Sequence, residues 1–502
     1  MDIFQNLLLG FSVALTPQNL LFAFIGSALG TLVGVLPGVG SAAAVAMLIP
    51  ITYQLPPTPA IIMLAAISYG SQYGGTITSI LLNVPGEAAS AITCLDGYQM
   101  AKQGRAGVAL SIAAIGSFVG GTAATIGLAV AAPPLARLAV QFGPVETFAL
   151  MVLGISLLMG LGGRSTSKAL MMGMFGILLG MIGMDPTQGS PRFNFGHTEL
   201  MDGLGFVPVI MGLFGIGEVL LNAENPLQQA LTGKVSSLIP TRKDVGDSAW
   251  PVLRGTAIGF FLGLIPGMTA TISSFMSYVA ERKASKYPEK FGTGMIEGVA
   301  GPETANNAHA NGSLVPLFAL GIPASPTLAV IFGAFMMNGL IPGPFLFREH
   351  ADVAWGVIAS MYVGNVMLLI LNLPLIGIWV RVLQIPYSIL FALILAFMVV
   401  GAYSIDNSAF DVITMLIFGV IGYALRKLDY PLAPIVLTLI LGPLMEKNLR
   451  RSLEISQGSF SIIFKSPFAV ALLALACLVV LVPALSFLFR RRSPGPADDA
   501  AR

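Results

Sequence analysis

Charge is what this sequence has least of. Only 10% of its 502 residues are Asp, Glu, Lys or Arg, while 55% are hydrophobic, and mean hydropathy is +0.83. A soluble protein carries roughly 25% charged residues, so the composition excludes a soluble globular domain and implies a polytopic membrane protein. A net charge of +2 provides no electrostatic footprint for nucleic acid. The two cysteines, Cys94 and Cys477, lie in or beside apolar segments without metal spacing; they read as packing residues, with no disulfide framework. Only three histidines occur, and none makes a relay with another. The first nineteen residues hold no Lys or Arg, which argues against a cleaved signal peptide with a basic start. Neither G-x-x-x-x-G-K-[ST] nor H-E-x-x-H is present, nor the G-x-S-G and G-x-G-D of intramembrane proteases. A nucleotide-driven pump and an enzyme are therefore not expected, nor is a cofactor.

Glycine, by contrast, is abundant at 57 residues. The stretch G-V-L-P-G-V-G-S-A-A, Gly34 to Ala43, breaks an apolar run at Pro37 and Gly38. A second break follows at Gly263 to Ile272, G-L-I-P-G-M-T-A-T-I, around Pro266 and Gly267, and Gly26, Gly30 and Gly34 keep step with Gly255, Gly259 and Gly263. Proline removes a donor and glycine tolerates a tight turn, so each stretch should stop, turn and restart a helix. In lipid that is tolerated only where protein or a water-filled cavity covers the break.

Apolar runs follow the first interrupted pair (20–50) at 60–82, 108–131, 145–161, 169–184 and 204–221. After the second pair (251–280) they come at 313–335, 352–380, 388–403, 410–425 and 430–445, and a last run covers 466–489. The order repeats, and so do short matches: Gln141 to Leu150 with Gln384 to Leu393, Phe175-Gly176 with Phe418-Gly419, and L-N-V-P-G (Leu82 to Gly86) with L-G-I-P-A (Leu320 to Ala324). Residues 1–221 and 251–445 are read as duplicated membrane repeats, 222–250 as a polar cytoplasmic connector, and 446–502 as an extra helix with a basic tail. Positive charge marks cytoplasmic loops. The loop at 51–59 has no Lys or Arg, whereas its counterpart at 281–291 has four, so the second repeat should be inverted and the N-terminus outside. The expected fold is all-α, with inverted repeats, interrupted or re-entrant helices and about 10–14 membrane segments. One group disagrees: Lys447, Arg450 and Arg451 fall outside, unless the boundary near 430–445 is misplaced or Glu446 and Glu454 offset them.

Inverted repeats with broken helices place binding sites near the midplane. The first half supplies Gly40 and Ser41, then Gly74, Gly75, Thr76 and Thr78, then Asn83, Pro85, Gly86 and Glu87. The second supplies Thr269 and Thr271, then Glu303, Asn306, Asn307, Asn311 and Ser313. With the two Pro-Gly turns, these form the candidate substrate or ion site. Hydroxyls, amides and helix N-termini can hold an anion, and freed carbonyls can hold Na⁺; no metal set is assigned beyond a Na⁺ near the same clusters. The blander alternative for any single Ser or Thr is close helix packing. His309 reads equally as a packing histidine or a proton carrier, and Glu87 as the stronger functional carboxylate.

The segment from Gly34 to Pro50, Y-G-G-T-I-T-S-I-L-L-N-V-P-G up to Gly86, the D-G-Y-Q-M-A-K-Q-G-R-A-G loop from Asp96 to Gly107, and L-G-P-L-M-E-K-N-L-R-R-S-L resemble the large membrane permease subunit of the tripartite tricarboxylate transporters. The resemblance spans nearly all of residues 10–465. It implies a bacterial inner-membrane importer working with a small membrane subunit and a periplasmic solute-binding protein that delivers carboxylates. It also implies coupling to Na⁺ or H⁺ and an organic acid substrate, a tricarboxylate, a dicarboxylate or another anion. A passive anion channel and a non-transporting membrane scaffold are the competing readings.

Overall fold

The computed structural model describes residues 3–36, 39–161, 165–185, 189–224, 237–382 and 387–490. Pro37 and Gly38 lie outside the described residues, as do residues 225–236 of the polar connector and the start of the Gln384 match. The helices in chain order are α1 (Ile3–Ala14), α2 (Pro17–Val35), α3 (Ser41–Thr52), α4 (Pro57–Leu82), α5 (Thr93–Lys102), α6 (Ala106–Ala139), α7 (Pro144–Leu161) and α8 (Thr166–Gly180). A two-residue antiparallel ladder pairs Gly183–Met184 with Pro191–Arg192. Then come α9 (Phe206–Ile210) and α10 (Gly217–Glu224), joined by a π-helical turn at Met211–Ile216, α11 (Arg242–Gly263), α12 (Ala270–Ala284), α13 (Glu297–Gly312), α14 (Leu314–Leu320) and α15 (Pro326–Met337). The chain continues through α16 (Leu346–Glu349), α17 (Ala351–Asn372), α18 (Ile376–Val382), α19 (Tyr387–Asp406), α20 (Ala409–Lys427), α21 (Ala433–Ile455), α22 (Ser461–Lys465) and α23 (Pro467–Arg490). Proline opens α2, α4, α7, α15 and α23, the position where its missing N–H would have had no helical partner.

Among the described residues, five helices are long and apolar enough to cross a membrane: α2, α6, α9–α10 as one unit, α17 and α20. Mean hydropathy passes over α4, which has 26 residues but carries polar ones on buried faces. Several expected boundaries differ. The run at 313–335 is two helices, because Gly321 at φ 71° ends α14. The run at 430–445 continues as helix to Ile455, so Lys447, Arg450 and Arg451 are not loop residues, and Glu446 pairs with both Arg450 and Arg192.

Compactness groups these elements otherwise than their order along the chain does. One unit comprises 1–141 and 204–428; the other comprises 142–203 and 429–502. In the smaller unit, α8 lies against α21 through Gly176 and Gly180, which face Ile435, Thr438 and the Leu439 carbonyl. Arg192, Asp185, Glu446 and Arg450 form an ion network there.

The larger unit is built on two equivalent helix pairs. On α2, a methyl added to Gly26, Gly30 or Gly34 would overlap the carbonyl oxygens of Met63, Ile67 and Ser71 on α4. On α11, Gly255, Gly259 and Gly263 stand in the same relation to the carbonyls of Gly301, Ala305 and His309 on α13, each 238 residues after its α4 counterpart. Such backbone approach replaces side-chain interdigitation in membrane helix pairs. The third helix of each half packs on the other half's pair: Gly116 and Gly120 of α6 meet Thr304 of α13, and Gly364 of α17 meets Tyr69 of α4. The C-cap residues Asn83 and Gly321, also 238 apart, are both left-handed, at φ 58° and 71°.

Gly30→Ala and Gly259→Ala should therefore each destabilise the protein by about 1–3 kcal/mol through overpacking. Gly246→Ala on α11, where an added methyl meets nothing, should be neutral or stabilising by up to about 1 kcal/mol. Thermal unfolding in detergent measures all three, and equal effects would refute the close-packing account.

Candidate functional site

Where the helices restart, their N-termini converge. Gly40 and Ser41 begin α3, Thr269 to Thr271 begin α12, and Ser325 to Leu328 begin α15. All three line one cavity of about 260 Å³, together with Gln72, Glu87, Glu218, His309, Ser313 and Arg426. The size lies just below the roughly 300–1,000 Å³ of pockets for drug-sized ligands, and so suits a small metabolite. Each N-terminus offers N–H groups and the positive end of a helix dipole. Thr269 caps α12 by accepting from Ile272 N at 3.3 Å, and Ser325 caps α15 by accepting from Leu328 N at 3.3 Å. Ser41 Oγ lies 2.9 Å from Thr327 Oγ1, a contact between the two halves. The Arg426 guanidinium donates to the Glu218 carboxylate.

Two buried polar atoms at this wall lack a hydrogen-bond partner: Gln72 Oε1 and His309 Nε2. The His309 ring shares a 2.8 Å hydrogen bond between Nδ1 and Ser273 Oγ. A buried polar group without a partner costs about 1–3 kcal/mol, and a ligand or water in the cavity would remove that cost.

Of the residues singled out in the sequence, Gly40, Ser41, Glu87, Thr269, Thr271 and Ser313 line this cavity. Others shape it from behind. Gly74 lies against the backbone of α2, and Gly75 against Glu87, while Gly86 is wedged between Gly34 and Gly75 and donates to the Gly75 carbonyl at 3.3 Å. Thr78 Oγ1 bonds back to the Gly75 carbonyl at 3.3 Å. Asn83 and Pro85 form the exposed turn that returns the chain. Pro266 is buried in the second break, and Gly267, at φ 89°, donates to the Ala324 carbonyl at 3.1 Å.

The remaining candidates form a separate, closed network. Glu303, fully buried, accepts from Thr76 Oγ1 at 2.5 Å, from Thr93 Oγ1 and from Asn306 Nδ2 at 2.9 Å. Asn307 donates to Ser117 Oγ at 2.8 Å, and Asn311 to the Gly121 carbonyl at 2.9 Å. The single constellation expected from sequence is thus two, one around the cavity and one inside the contact of α4, α5, α6 and α13. Sequence reasoning did not include Gln72, Ser325, Thr327, Glu218 or Arg426 among the site residues. The signal for Arg426 was a basic residue placed just past an apolar run, which reads as a loop charge until α10 and α20 are seen to meet.

The D-G-Y-Q stretch, expected as a loop, lies in helix α5 and has a structural role. Asp96 Oδ1 accepts from the backbone nitrogens of Gly292, Gly294 and Met295 at 2.8–2.9 Å, and Oδ2 from Tyr278 Oη at 2.9 Å. Nearby, burial alone would raise the Asp244 carboxyl, but hydrogen bonds from Thr241 and the Arg105 guanidinium outweigh it and hold it below its ordinary value. Stability from Asp244 is then present above the unfolded carboxyl value of about 3.9 and lost as pH falls through the folded one. It does not change around neutrality. Asp96→Asn should lower the unfolding temperature, at a cost of roughly 1.5–3 kcal/mol per charged hydrogen bond lost, without changing substrate KM in the protein that folds. A KM change at normal stability would assign Asp96 to transport instead.

Helix breaks lining one cavity within an apolar helical chain define a multi-pass membrane protein. The chain belongs to the tripartite tricarboxylate transporter TctA family, whose model matches residues 20–437; it is a component of such a transporter, and the family is not one of enzymes. It is 49% identical over 489 residues, 97% of each chain, to a protein of Agrobacterium vitis described as "Uncharacterized 52.8 kDa protein in TAR-I ttuC' 3'region". A second protein of that organism, "Uncharacterized protein in TAR-II ttuC' 3'region", is 46% identical over 241 residues, 48% of this chain and all of its own. No solved structure matches.

Proposed function

We propose that this chain is the large permease of a binding-protein-dependent system that imports tricarboxylates or related organic acid anions across the bacterial inner membrane, driven by a Na⁺ or H⁺ gradient. The observation that carries this reading is the convergence of three helix N-termini and Arg426 on one cavity. That chemistry suits carboxylates: N–H groups and hydroxyls hold them without bringing a full charge per contact into the membrane. The partners are a small membrane subunit and a periplasmic solute-binding protein. Residues 1–221 and 251–445 act as two inverted copies around the cavity, a reading supported by the equivalent α2–α4 and α11–α13 pairs.

In proteoliposomes holding all three subunits, uptake of citrate or succinate should saturate and require an ion gradient. Thr271→Ala removes a cavity hydroxyl; losing a hydrogen bond to a charged ligand, at roughly 1.5–3 kcal/mol, should raise KM about 10- to 150-fold at normal membrane levels. Unchanged KM would place the substrate elsewhere.

Topology is tested separately. In a Cys477→Ser background, Gln54→Cys and Lys286→Cys, both at exposed positions, should react with an impermeant thiol reagent from opposite faces. Labelling of both from one face would overturn the inverted arrangement.

A further inference from the structure

The start of α3 differs from that of α12 in one respect. Gly40, the residue before α3, has no side chain with which to take the free N–H groups of the first turn, whereas Thr269 caps α12 with its own hydroxyl. The vacancy at α3 is filled from a distant segment: Glu87 Oε1 lies 2.6 Å from Ser41 N and also accepts from Ser71 Oγ at 3.3 Å. The second half has Ser325 at the position 238 residues after Glu87, and that serine caps its own helix. The carboxylate is therefore an addition of the first half alone. It is only 8% exposed, it faces the cavity, and the bare backbone of Gly75 makes room for it.

Its donors are neutral. The charged and titratable side chains around the same cavity are Glu218 and Arg426, bound to each other, and His309, held through Nδ1 by Ser273. Among the described residues no cationic side chain pairs with Glu87. A buried carboxylate without a cation is costly to keep ionised, and a second carboxylate entering beside it adds repulsion. The two anions also compete for one place, because Ser41 N–H can serve either Glu87 or a ligand.

We propose that Glu87 is a proton-binding site that couples anion entry to proton entry. In the empty cavity, ionised Glu87 occupies the N-terminus of α3. When an organic anion arrives, Glu87 takes one proton from the water on the side of entry and releases Ser41 N–H, and a substrate carboxylate accepts that hydrogen bond. The proton on Glu87 cancels one of the negative charges the anion brings, so a dianion adds one negative charge to the cavity rather than two. This rests on the transport reading above and adds to it the identity of one coupling ion and its place.

The test uses the three-subunit transporter in proteoliposomes with trapped pH dye, equal Na⁺ on both sides, and succinate as the probe between about pH 7 and 8.5, where it stays doubly ionised. For the wild type, about one proton should enter for the exchange of each anion, and affinity should fall about tenfold per pH unit. Glu87→Gln should bring proton entry per anion close to zero and flatten the pH dependence, whatever rate remains, and Glu87→Asp should restore both. If Glu87→Gln gives too little folded protein to measure, the wild-type proton ratio and the Glu87→Asp profile decide. Wild-type uptake without proton entry, or a Glu87→Gln variant with an unchanged proton ratio, overturns this proposal while leaving the transport reading intact. No succinate or citrate uptake by the wild type under any gradient overturns both.

Discussion

Every backbone group freed where a helix breaks inside apolar surroundings has to find a partner within the protein, and the larger unit is arranged around that requirement. Gly267 N–H goes to the Ala324 carbonyl, Gly86 N–H to the Gly75 carbonyl, and Ser41 N–H to Glu87. The first and last of these bonds join a helix break to the turn that follows the next long helix, and the second ties that turn back to α4. The glycine rows on α2 and α11 make them reachable by letting whole helices approach at backbone distance.

The same requirement leads from architecture to chemistry. Free N–H groups that the protein does not use for itself are anion sites by default, and three such helix starts face one cavity. Two of them are closed by local hydroxyls and one by a carboxylate brought in from another segment. Around them, the Glu218–Arg426 pair brings a cation to the wall without adding net charge, a balance that lowers the cost of placing charge at membrane depth.

The two polar clusters also divide their work by burial. The Glu303 carboxylate is buried and takes donors from Thr76, Thr93 and Asn306. It stiffens the contact between the halves, as Asp96 does for the loop at 292–295. The cavity cluster keeps unpartnered atoms at Gln72 and His309 beside a space of about 260 Å³, which is where a ligand has something to gain.

Sequence by itself determined the class of this protein, its two helix breaks and the six candidate residues, from Gly40 to Ser313, that line the cavity. Those features follow from local rules: hydropathy selects the membrane, and proline and glycine interrupt helices. Tertiary structure decided the rest. It separated Glu303 and the asparagines from Ser41 and Thr271, although all share the same residue types, because helix rotation sets which face of α13 meets α6 and which meets the cavity. It continued α21 through Lys447, Arg450 and Arg451, where Arg450 pairs with Asp185 and Glu446, partners that the sequence does not reveal. It brought Arg426 to Glu218 and Glu87 to the N-terminus of α3, partners 208 and 46 residues apart. Pairings over such distances depend on how helices cross, and no local pattern encodes a crossing.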